Sequence, residues 1–192
     1  QAQTGTGKTA AFGIPLAMRL APKGGIQALV LAPTRELALQ VSKEINAICA
    51  GSDLFATAIY GGASFTKQVE EIGAGAQIVV GTPGRVLDHM RRKTISFRKL
   101  AVLVLDEADE MLSMGFEKEL SEILGSLPTE RQTLLFSATI PEDIQRLAGR
   151  YMKDAEIVSV SGDAIAAAAV SHFVYLVSGP DKLRTLVRVI AQ

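Results

Sequence analysis

Short, unbroken apolar runs separated by stretches of helical periodicity are the feature of this sequence that most restricts its fold. The runs are rich in Val, Ile and Leu and show little alternation of apolar with polar residues. Such runs are typical of parallel strands that helices cover on both faces. We therefore predict an α/β domain with a doubly wound, mostly parallel sheet flanked by helices. The predicted strands are residues 27–31, 55–60, 77–80, 102–105, 133–136 and 156–160.

Helical periodicity fills the intervals between these runs, with apolar residues three or four positions apart. The predicted helices run from Lys8 toward Leu20 and over residues 36–49 and 111–124. These elements place one domain at residues 1–160. Residues 161–170 change abruptly to small side chains and are interpreted as a linker. A strand at 172–177 and a helix at 181–191 then predict that residues 171–192 begin a second domain.

The composition of the 192-residue chain excludes several classes of protein. Apolar residues make up 48% and the mean hydropathy is +0.25, so the chain can form a buried core and is not disordered. No apolar run approaches the ~20 residues that span a bilayer. A single cysteine, Cys49, rules out an internal disulfide and predicts a reducing, cytoplasmic location. The net charge of zero argues against a broad basic surface, so any contact with a nucleic acid should be local.

A glycine-rich segment at the start of the first predicted helix has the pattern of a phosphate-binding loop. Its residues are Gln3, Thr4, Gly5, Thr6, Gly7, Lys8 and Thr9. Glycines allow backbone N–H groups to approach phosphates, and a helix N-terminus favours negative charge. Lys8 would reach the terminal phosphates, and the Thr9 hydroxyl would bind Mg²⁺. Ala2 stands where the usual pattern has its first glycine, and a glycine-rich turn before a helix is the alternative interpretation.

Two adjacent carboxylates follow the predicted strand at 102–105. Phosphate-loop enzymes hold Mg²⁺ with an acidic residue at the end of such a strand, and Asp106 fits that role. Glu107 can orient or deprotonate the attacking water. The alternative is a helix start whose acidic first turn is favoured by the helix dipole. The phosphate-binding loop upstream favours the interpretation as an ATP-hydrolysing site.

Threonines stand after three other predicted strands, at Thr34, Thr82 and Thr139. Threonine is a good N-cap, and Pro83 suits a first helical turn, so these segments could serve only to begin helices. A capped helix start beside an arginine also offers donors to a phosphate group. The two interpretations are compatible, and the sequence leaves both open.

Taken in order, these segments resemble the DEAD-box family of superfamily-two RNA helicases. The resemblance rests on A-Q-T-G-T-G-K-T at residues 2–9, P-T-R-E-L-A at 33–38, the glycine doublet at 61–62, T-P-G-R at 82–85, D-E-A-D at 106–109 and S-A-T at 137–139. The segments match the family's motifs in order and spacing over residues 1–160. Residues 106–116 further resemble bacterial members.

The resemblance implies a RecA-like domain that closes with a second such domain on ATP, Mg²⁺ and single-stranded RNA. It assigns catalysis to Lys8, Asp106 and Glu107, and metal binding to Thr9 and Asp106. Coupling between the ATP site and the RNA face would fall to Asp109, Ser137 and Thr139. The residues implied to line the RNA backbone are Pro33, Thr34, Arg35, Gly61, Gly62, Thr82, Gly84 and Arg85. Contacts to sugar and phosphate suit the neutral net charge.

The expected activity is ATP-dependent remodelling or local unwinding of RNA. An ATP-dependent RNA clamp with slow turnover would carry the same motifs, whereas D-E-A-D together with S-A-T disfavours an ATPase acting on DNA or protein. Only two residues precede the phosphate loop, so its supporting strand is expected to be missing. The family's adenine-reading motif and its second-domain arginine fingers are also not in the sequence. We therefore expect an active parent protein and a nearly inert fragment 1–192.

Overall fold

The structure, a computed structural model, describes residues 7–159 and Arg184. The chain divides into two units, Gln1–Ser161 and Gly162–Gln192, and the elements named here belong to the first. Its strands are β1 (Ala28–Leu31), β2 (Ala56–Ile59), β3 (Ile78–Gly81), β4 (Val102–Leu105) and β5 (Gln132–Leu135). Its helices are α1 (Lys8–Arg19), α2 (Arg35–Ile48), α3 (Phe65–Gly73), α4 (Pro83–Arg91), α5 (Ala108–Ser113), α6 (Glu117–Ser126) and α7 (Glu142–Tyr151).

The five strands form one parallel sheet in the order β2-β3-β1-β4-β5. Every residue of β1, β3 and β4 is buried, because helices cover both faces of the sheet. The register pairs Leu31 with Gly81 on one side and with Leu105 on the other, so neighbouring strands end level with one another. The prediction of a doubly wound α/β domain is confirmed, and each of these five strands lies within one residue of its predicted bounds.

Two apolar clusters pack on opposite faces of the sheet. Leu29 and Leu31 of β1 belong to the cluster that includes residues of α4, α5, α6 and α7. Ala28 and Val30 belong to the other cluster, with residues of α1 and α2. Alternate residues of a strand point to opposite faces, so a strand buried on both faces needs apolar residues at every position. This requirement is why the strand sequences show no alternation.

The helix predicted over residues 111–124 is in fact two helices, α5 and α6. Gly115 separates them, with a left-handed backbone at φ 86°. The Phe116 N–H donates to Met111 O and the Gly115 N–H donates to Leu112 O, the hydrogen-bond pattern of a Schellman helix end. The prediction of one continuous helix was wrong because apolar residues keep their helical spacing across this turn, and spacing alone does not detect it.

The strand predicted at residues 156–160 is also not found. Residues 156–159 have no regular secondary structure, and Ile157 is 78% exposed. An apolar run forms a strand only where a neighbouring strand or a covering helix can bury it. Conversely, α3 was not predicted as a helix, and α4 and α7 were anticipated only as possible helix starts at Thr82 and Thr139. Val160 and the predicted linker, 161–170, lie outside the described residues.

The predicted second-domain segment, 171–192, also lies outside the described residues apart from Arg184, which is helical. Its predicted strand and helix therefore stay predictions. In the part of the chain that the structure describes, no helix has both the length and the apolar character needed to cross a membrane.

Candidate nucleotide and nucleic-acid site

The loops that carry the sequence motifs meet at one edge of the sheet. Because all five strands are parallel, the loops that follow them emerge at the same edge, where open α/β sheets bind ligands. Each of these loops leads into a helix, whose N-cap is Thr34, Ser64, Thr82, Glu107 or Pro141. Helix N-termini favour anions, so this edge is suited to phosphate groups.

Lys8 lies beside the two adjacent carboxylates that follow β4. Its Nζ is 3.6 Å from Asp106 Oδ1 and 3.7 Å from Glu107 Oε1. The Asp106 side chain is buried, whereas 26% of the Glu107 side chain is exposed. Burial raises the pKa of Asp106, and the positive charge of Lys8 opposes that rise. The structure therefore brings together the three residues predicted to be catalytic.

The Asp106 carboxylate is suited to binding a cation. Its Oδ1 is buried and has no hydrogen-bond partner among the described residues. A buried oxygen left in this state is costly, and a bound cation would remove the cost. Mg²⁺ takes one or two protein carboxylates together with phosphate oxygens and water. The donor chemistry of Asp106 therefore fits Mg²⁺, while Thr9 is half-buried in the first turn of α1, next to Lys8, and its role as a metal ligand stays a prediction.

Glu107 has a left-handed backbone, with φ 53° and ψ 52°. This conformation costs a residue other than glycine about 1 kcal/mol or more. Neighbouring strands hold the backbone on both sides of it. The Asp106 N–H donates to Leu31 O at 2.9 Å, and the Ala108 N–H donates to Phe136 O at 3.0 Å. Strain maintained beside a buried carboxylate is typical of a functional site.

Asp109, in the first turn of α5, connects that helix with the loop after β5. Its Oδ2 accepts hydrogen bonds from the Thr139 N–H at 2.9 Å and the Thr139 hydroxyl at 2.8 Å. Ser137 Oγ donates to Thr139 O at 2.6 Å. Burial opposes the ionisation of Asp109, but the hydrogen bonds from Thr139 outweigh it and lower its pKa. The three predicted coupling residues are in contact, and Thr139 does not cap α7, because that N-cap is Pro141.

Arg35 lies exposed at the N-terminus of α2, with its guanidinium 5.0 Å from the centre of the Tyr60 ring. The preceding residue, Thr34, caps the helix by accepting a hydrogen bond from the Leu37 N–H at 3.2 Å. The capping interpretation is therefore confirmed for Thr34. Pro33 is buried beneath this turn and its side chain is not available to a ligand. The arginine is the accessible group of the segment.

The glycine doublet and the T-P-G-R segment form the neighbouring part of the same edge. Gly61, Gly62 and Gly84 are exposed, and Gly62 has a left-handed backbone at φ 79°. Thr82 is the N-cap of α4, but its side chain makes no capping hydrogen bond. Arg85 Nη1 donates to Ala63 O at 3.1 Å, which connects α4 to the loop that contains the doublet. The predicted RNA-binding residues thus include both accessible backbone and arginine side chains.

Residues 1–147 match the family model described as DEAD/DEAH box helicase. The chain belongs to the DEAD/DEAH box helicase family. It is 45% identical over 191 residues to the ATP-dependent RNA helicase CshA of Listeria monocytogenes, and 47% identical over 191 residues to the DEAD-box ATP-dependent RNA helicase CshA of Bacillus subtilis. Each alignment covers 99% of this chain but only 37% and 39%, respectively, of the relative. These relatives are bacterial, in line with the resemblance.

A solved structure of the same family has the same fold. The crystal structure of a DEAD box protein from the hyperthermophile Methanococcus jannaschii aligns with a TM-score of 0.78 and 47% sequence identity. The alignment covers 80% of this chain and 42% of that chain. The predictions of the DEAD-box family and of a RecA-like α/β fold are therefore confirmed.

The structure describes only part of the phosphate loop of this DEAD-box chain. Gly7 has a left-handed backbone at φ 78° and immediately precedes α1, which begins at Lys8. The other predicted nucleotide-binding residues, Gln3, Thr4, Gly5 and Thr6, lie outside the described residues. Their contacts with a nucleotide therefore stay a prediction.

Sequence reasoning missed the side chains that support the two arginines. Tyr60 lies under Arg35, while Phe65 and Gln68 contact Arg85. A signal was available for Gln68, because it lies one turn after Phe65, on the inner face of an amphipathic segment where a buried amide is unusual.

Proposed function

We propose that this chain forms the ATP-binding part of an RNA-dependent ATPase that remodels RNA or unwinds it locally. The observation that carries the proposal is the buried Asp106 carboxylate, which has an unsatisfied oxygen and lies beside Lys8. This pair suits Mg²⁺ and a nucleotide phosphate. Arg35 and Arg85, at the same edge of the sheet, suit a nucleic-acid backbone. The names of the relatives, ATP-dependent RNA helicases, agree with this assignment.

The proposed chemistry divides among four side chains. Asp106 and Thr9 would hold Mg²⁺, which neutralises charge on the phosphates when it is bound. The Lys8 ammonium group would leave its ion pairs with the two carboxylates and bind the terminal phosphates instead. Its present ion pairs, at 3.6 and 3.7 Å, are longer than hydrogen bonds and therefore readily exchanged. Glu107, partly exposed and next to Asp106, would orient the attacking water and accept its proton.

The proposed RNA contacts are to sugar and phosphate. Arg35 and Arg85 would bind phosphate oxygens, and the exposed backbone at Gly61, Gly62 and Gly84 would lie close to the RNA strand. Contacts of this kind are independent of base sequence, and they need no broad basic surface. The hydrogen bonds between Asp109 and Thr139 would transmit changes between the ATP site and the RNA face.

A second RecA-like domain is proposed as the partner of this one. The chain spans 37% and 39% of the length of the two CshA relatives, so proteins of this family are much longer than the domain described. The second domain would complete the ATP site with arginine fingers, which are worth orders of magnitude in rate in related enzymes. Residues 1–192 alone should therefore hydrolyse ATP very slowly. A cytoplasmic location also stays a prediction.

Phosphate release and strand separation by the full-length protein test the proposed activity. ATP hydrolysis should rise on addition of RNA but not of DNA of the same sequence, and short RNA duplexes should separate in an ATP-dependent manner. A stable ATP–RNA complex with little hydrolysis or unwinding would support the slow-turnover clamp instead. Robust RNA-stimulated hydrolysis by residues 1–192 would refute the need for a second domain.

The arginine contacts need a separate test. Arg35→Ala and Arg85→Ala should each weaken RNA binding similarly for all sequences and reduce the salt slope of log K by about one. Arg91→Ala is the matched control, because Arg91 is exposed on the same helix as Arg85 but is paired with Glu122. If the two variants bind RNA as the control does at every salt concentration, these arginines do not contact phosphates.

A further inference from the structure

Gln68 is a buried amide whose hydrogen-bonding atoms are all used. It lies on α3 with 3% of its surface exposed. Its Nε2 donates to Tyr60 O at 3.1 Å, and its Oε1 lies 2.9 Å from Arg85 Nη1 and 3.2 Å from His89 Nε2. Burying an amide is unfavourable unless such bonds are made. The side chain therefore connects α3 to the turn after β2 and to α4, rather than filling space in the core.

Arg85 and Tyr60 O fix the orientation of this amide. His89 Nε2 faces the acceptor Gln68 Oε1, so the ring nitrogen is the donor of that hydrogen bond. His89 Nδ1 lies 2.8 Å from Thr94 Oγ1, which is also 3.2 Å from His89 O. The opposite amide orientation would direct the NH₂ group at the Arg85 guanidinium and the oxygen at Tyr60 O. Burial and the nearby Arg85 lower the pKa of His89, which maintains the neutral ring.

The orientation of Gln68 determines which edge of Arg85 is available. Both hydrogens of Arg85 Nη1 are used, one by Gln68 Oε1 and one by Ala63 O. Among the described residues, its Nε and Nη2 have no hydrogen-bond partner. These two nitrogens form the edge of a guanidinium that binds phosphate in a bidentate manner. The Phe65 ring, stacked on His89 at 4.2 Å, lies 5.8 Å from the same guanidinium.

We propose that Gln68 is a positioning residue for nucleic-acid binding, which holds Arg85 so that its Nε–Nη2 edge faces a backbone phosphate. The proposal rests on the proposed function, because it requires that Arg85 binds phosphate. Through Tyr60 O, the same amide also fixes the start of the turn that contains Gly61 and Gly62. One buried side chain thus aligns the two neighbouring loops that are proposed to contact the RNA.

The test uses Gln68→Met in the full-length protein, since methionine keeps the length and volume but removes both hydrogen-bonding groups. Single-stranded RNA affinity should fall about tenfold, the loss expected for one charge-assisted contact. The affinity for ATP should stay unchanged. Gln40→Met is the matched control, because Gln40 is exposed on α2 and, among residues 7–159, its side chain bonds only Glu44. Unchanged RNA affinity in a folded Gln68→Met protein would overturn the proposal.

A double-mutant cycle with Arg85→Ala separates positioning from general damage. If Gln68 acts through Arg85, Gln68→Met should cause little further loss of RNA affinity once Arg85 is absent. An equal loss in both backgrounds would overturn the proposal. If Arg85→Ala alone changes nothing, the phosphate contact itself fails. If it weakens binding while Gln68→Met does not, only the positioning role fails.

Thr94→Val decides the case in which Gln68→Met does not fold. This substitution removes the hydroxyl that lies beside His89 Nδ1 and His89 O, and it leaves the Gln68 side chain in place. RNA affinity should fall about two- to threefold in the parent and not in the Arg85→Ala background. The same affinity as the parent, or a loss that persists without Arg85, would overturn the proposal.

Discussion

Replacing Glu107 by Gln should stop ATP hydrolysis without preventing ATP binding. Glutamine has the same size, keeps most of the hydrogen-bonding capacity and occupies a left-handed backbone no less readily than glutamate. The substitution therefore leaves the turn after β4 intact, including its bonds to Leu31 O and Phe136 O. It removes only the carboxylate that can accept a proton from water.

The geometry sets the size of the effect on ATP binding. Glu107 Oε1 is 3.7 Å from Lys8 Nζ, and the Glu107 side chain is 26% exposed. A partly exposed ion pair of this length contributes about 0.2–1 kcal/mol, so its loss should change ATP affinity less than about sixfold. Loss of a general base typically costs about 10²–10⁴ in rate, or roughly 3–5 kcal/mol. Hydrolysis should therefore suffer far more than binding.

Asp106→Asn is the comparison variant, because it should weaken ATP binding itself rather than only hydrolysis. The Asp106 carboxylate is buried, and the charge of its unsatisfied oxygen is needed for a cation. Its neutralisation should weaken Mg²⁺-dependent ATP binding by more than about tenfold. The Asp106→Asn variant should therefore lose ATP binding, whereas the Glu107→Gln variant should lose hydrolysis.

ATP affinity and single-turnover hydrolysis of both full-length variants, at saturating RNA, decide the matter. The Glu107→Gln protein should form a long-lived complex with ATP and RNA. Hydrolysis by this variant at the parent rate would refute the assignment of the water to Glu107. A loss of ATP affinity as large as that of Asp106→Asn would refute the division of roles between them.

Two further predictions concern packing and coupling. Gly81→Ala should lower the free energy of unfolding, measured by urea denaturation, by about 1–3 kcal/mol. The added Cβ would lie 2.6 Å from a Val86 methyl group and 2.8 Å from a backbone oxygen. Gly125→Ala is the control and should not lower the free energy of unfolding, because its added Cβ would meet no atom within 4 Å. Thr139→Val removes the hydroxyl bond to Asp109 and should lower stability by about 1 kcal/mol at neutral pH. Since that bond lowers the pKa of Asp109, the stability it contributes is present above the ordinary carboxyl pKa. The difference between variant and parent should shrink as pH falls through the lowered pKa, and a difference that grows instead would contradict the assignment.

Local sequence determined the fold class of this protein. Residues of β1, β3 and β4 are apolar at every position because both faces of these strands are buried, and that pattern is visible without coordinates. The chemistry at the strand ends was equally local. Lys8 follows a glycine-rich loop and Asp106 follows an apolar strand, and both features are visible in the sequence.

Some local features could not be predicted from the sequence, because apolar periodicity indicates which residues are buried and not whether a helix is continuous. The apolar spacing of residues 111–124 continues through Gly115, although the left-handed backbone there ends α5 and a new helix follows. Residues 156–160 are apolar enough for a strand, but Ile157 is largely exposed and 156–159 form none. Whether such a run becomes a strand depends on a neighbour that the run itself does not specify.

The partners of buried polar groups were decided only by the tertiary structure. Asp109 binds Thr139, thirty residues away, because β4 and β5 are adjacent in the sheet. Gln68 binds Arg85 because α3 and α4 begin at the same edge. A hydrogen bond requires two groups within about 3 Å, and that distance depends on how the elements pack against one another. The sequence supplies the donors and acceptors, and only the packing of the elements pairs them.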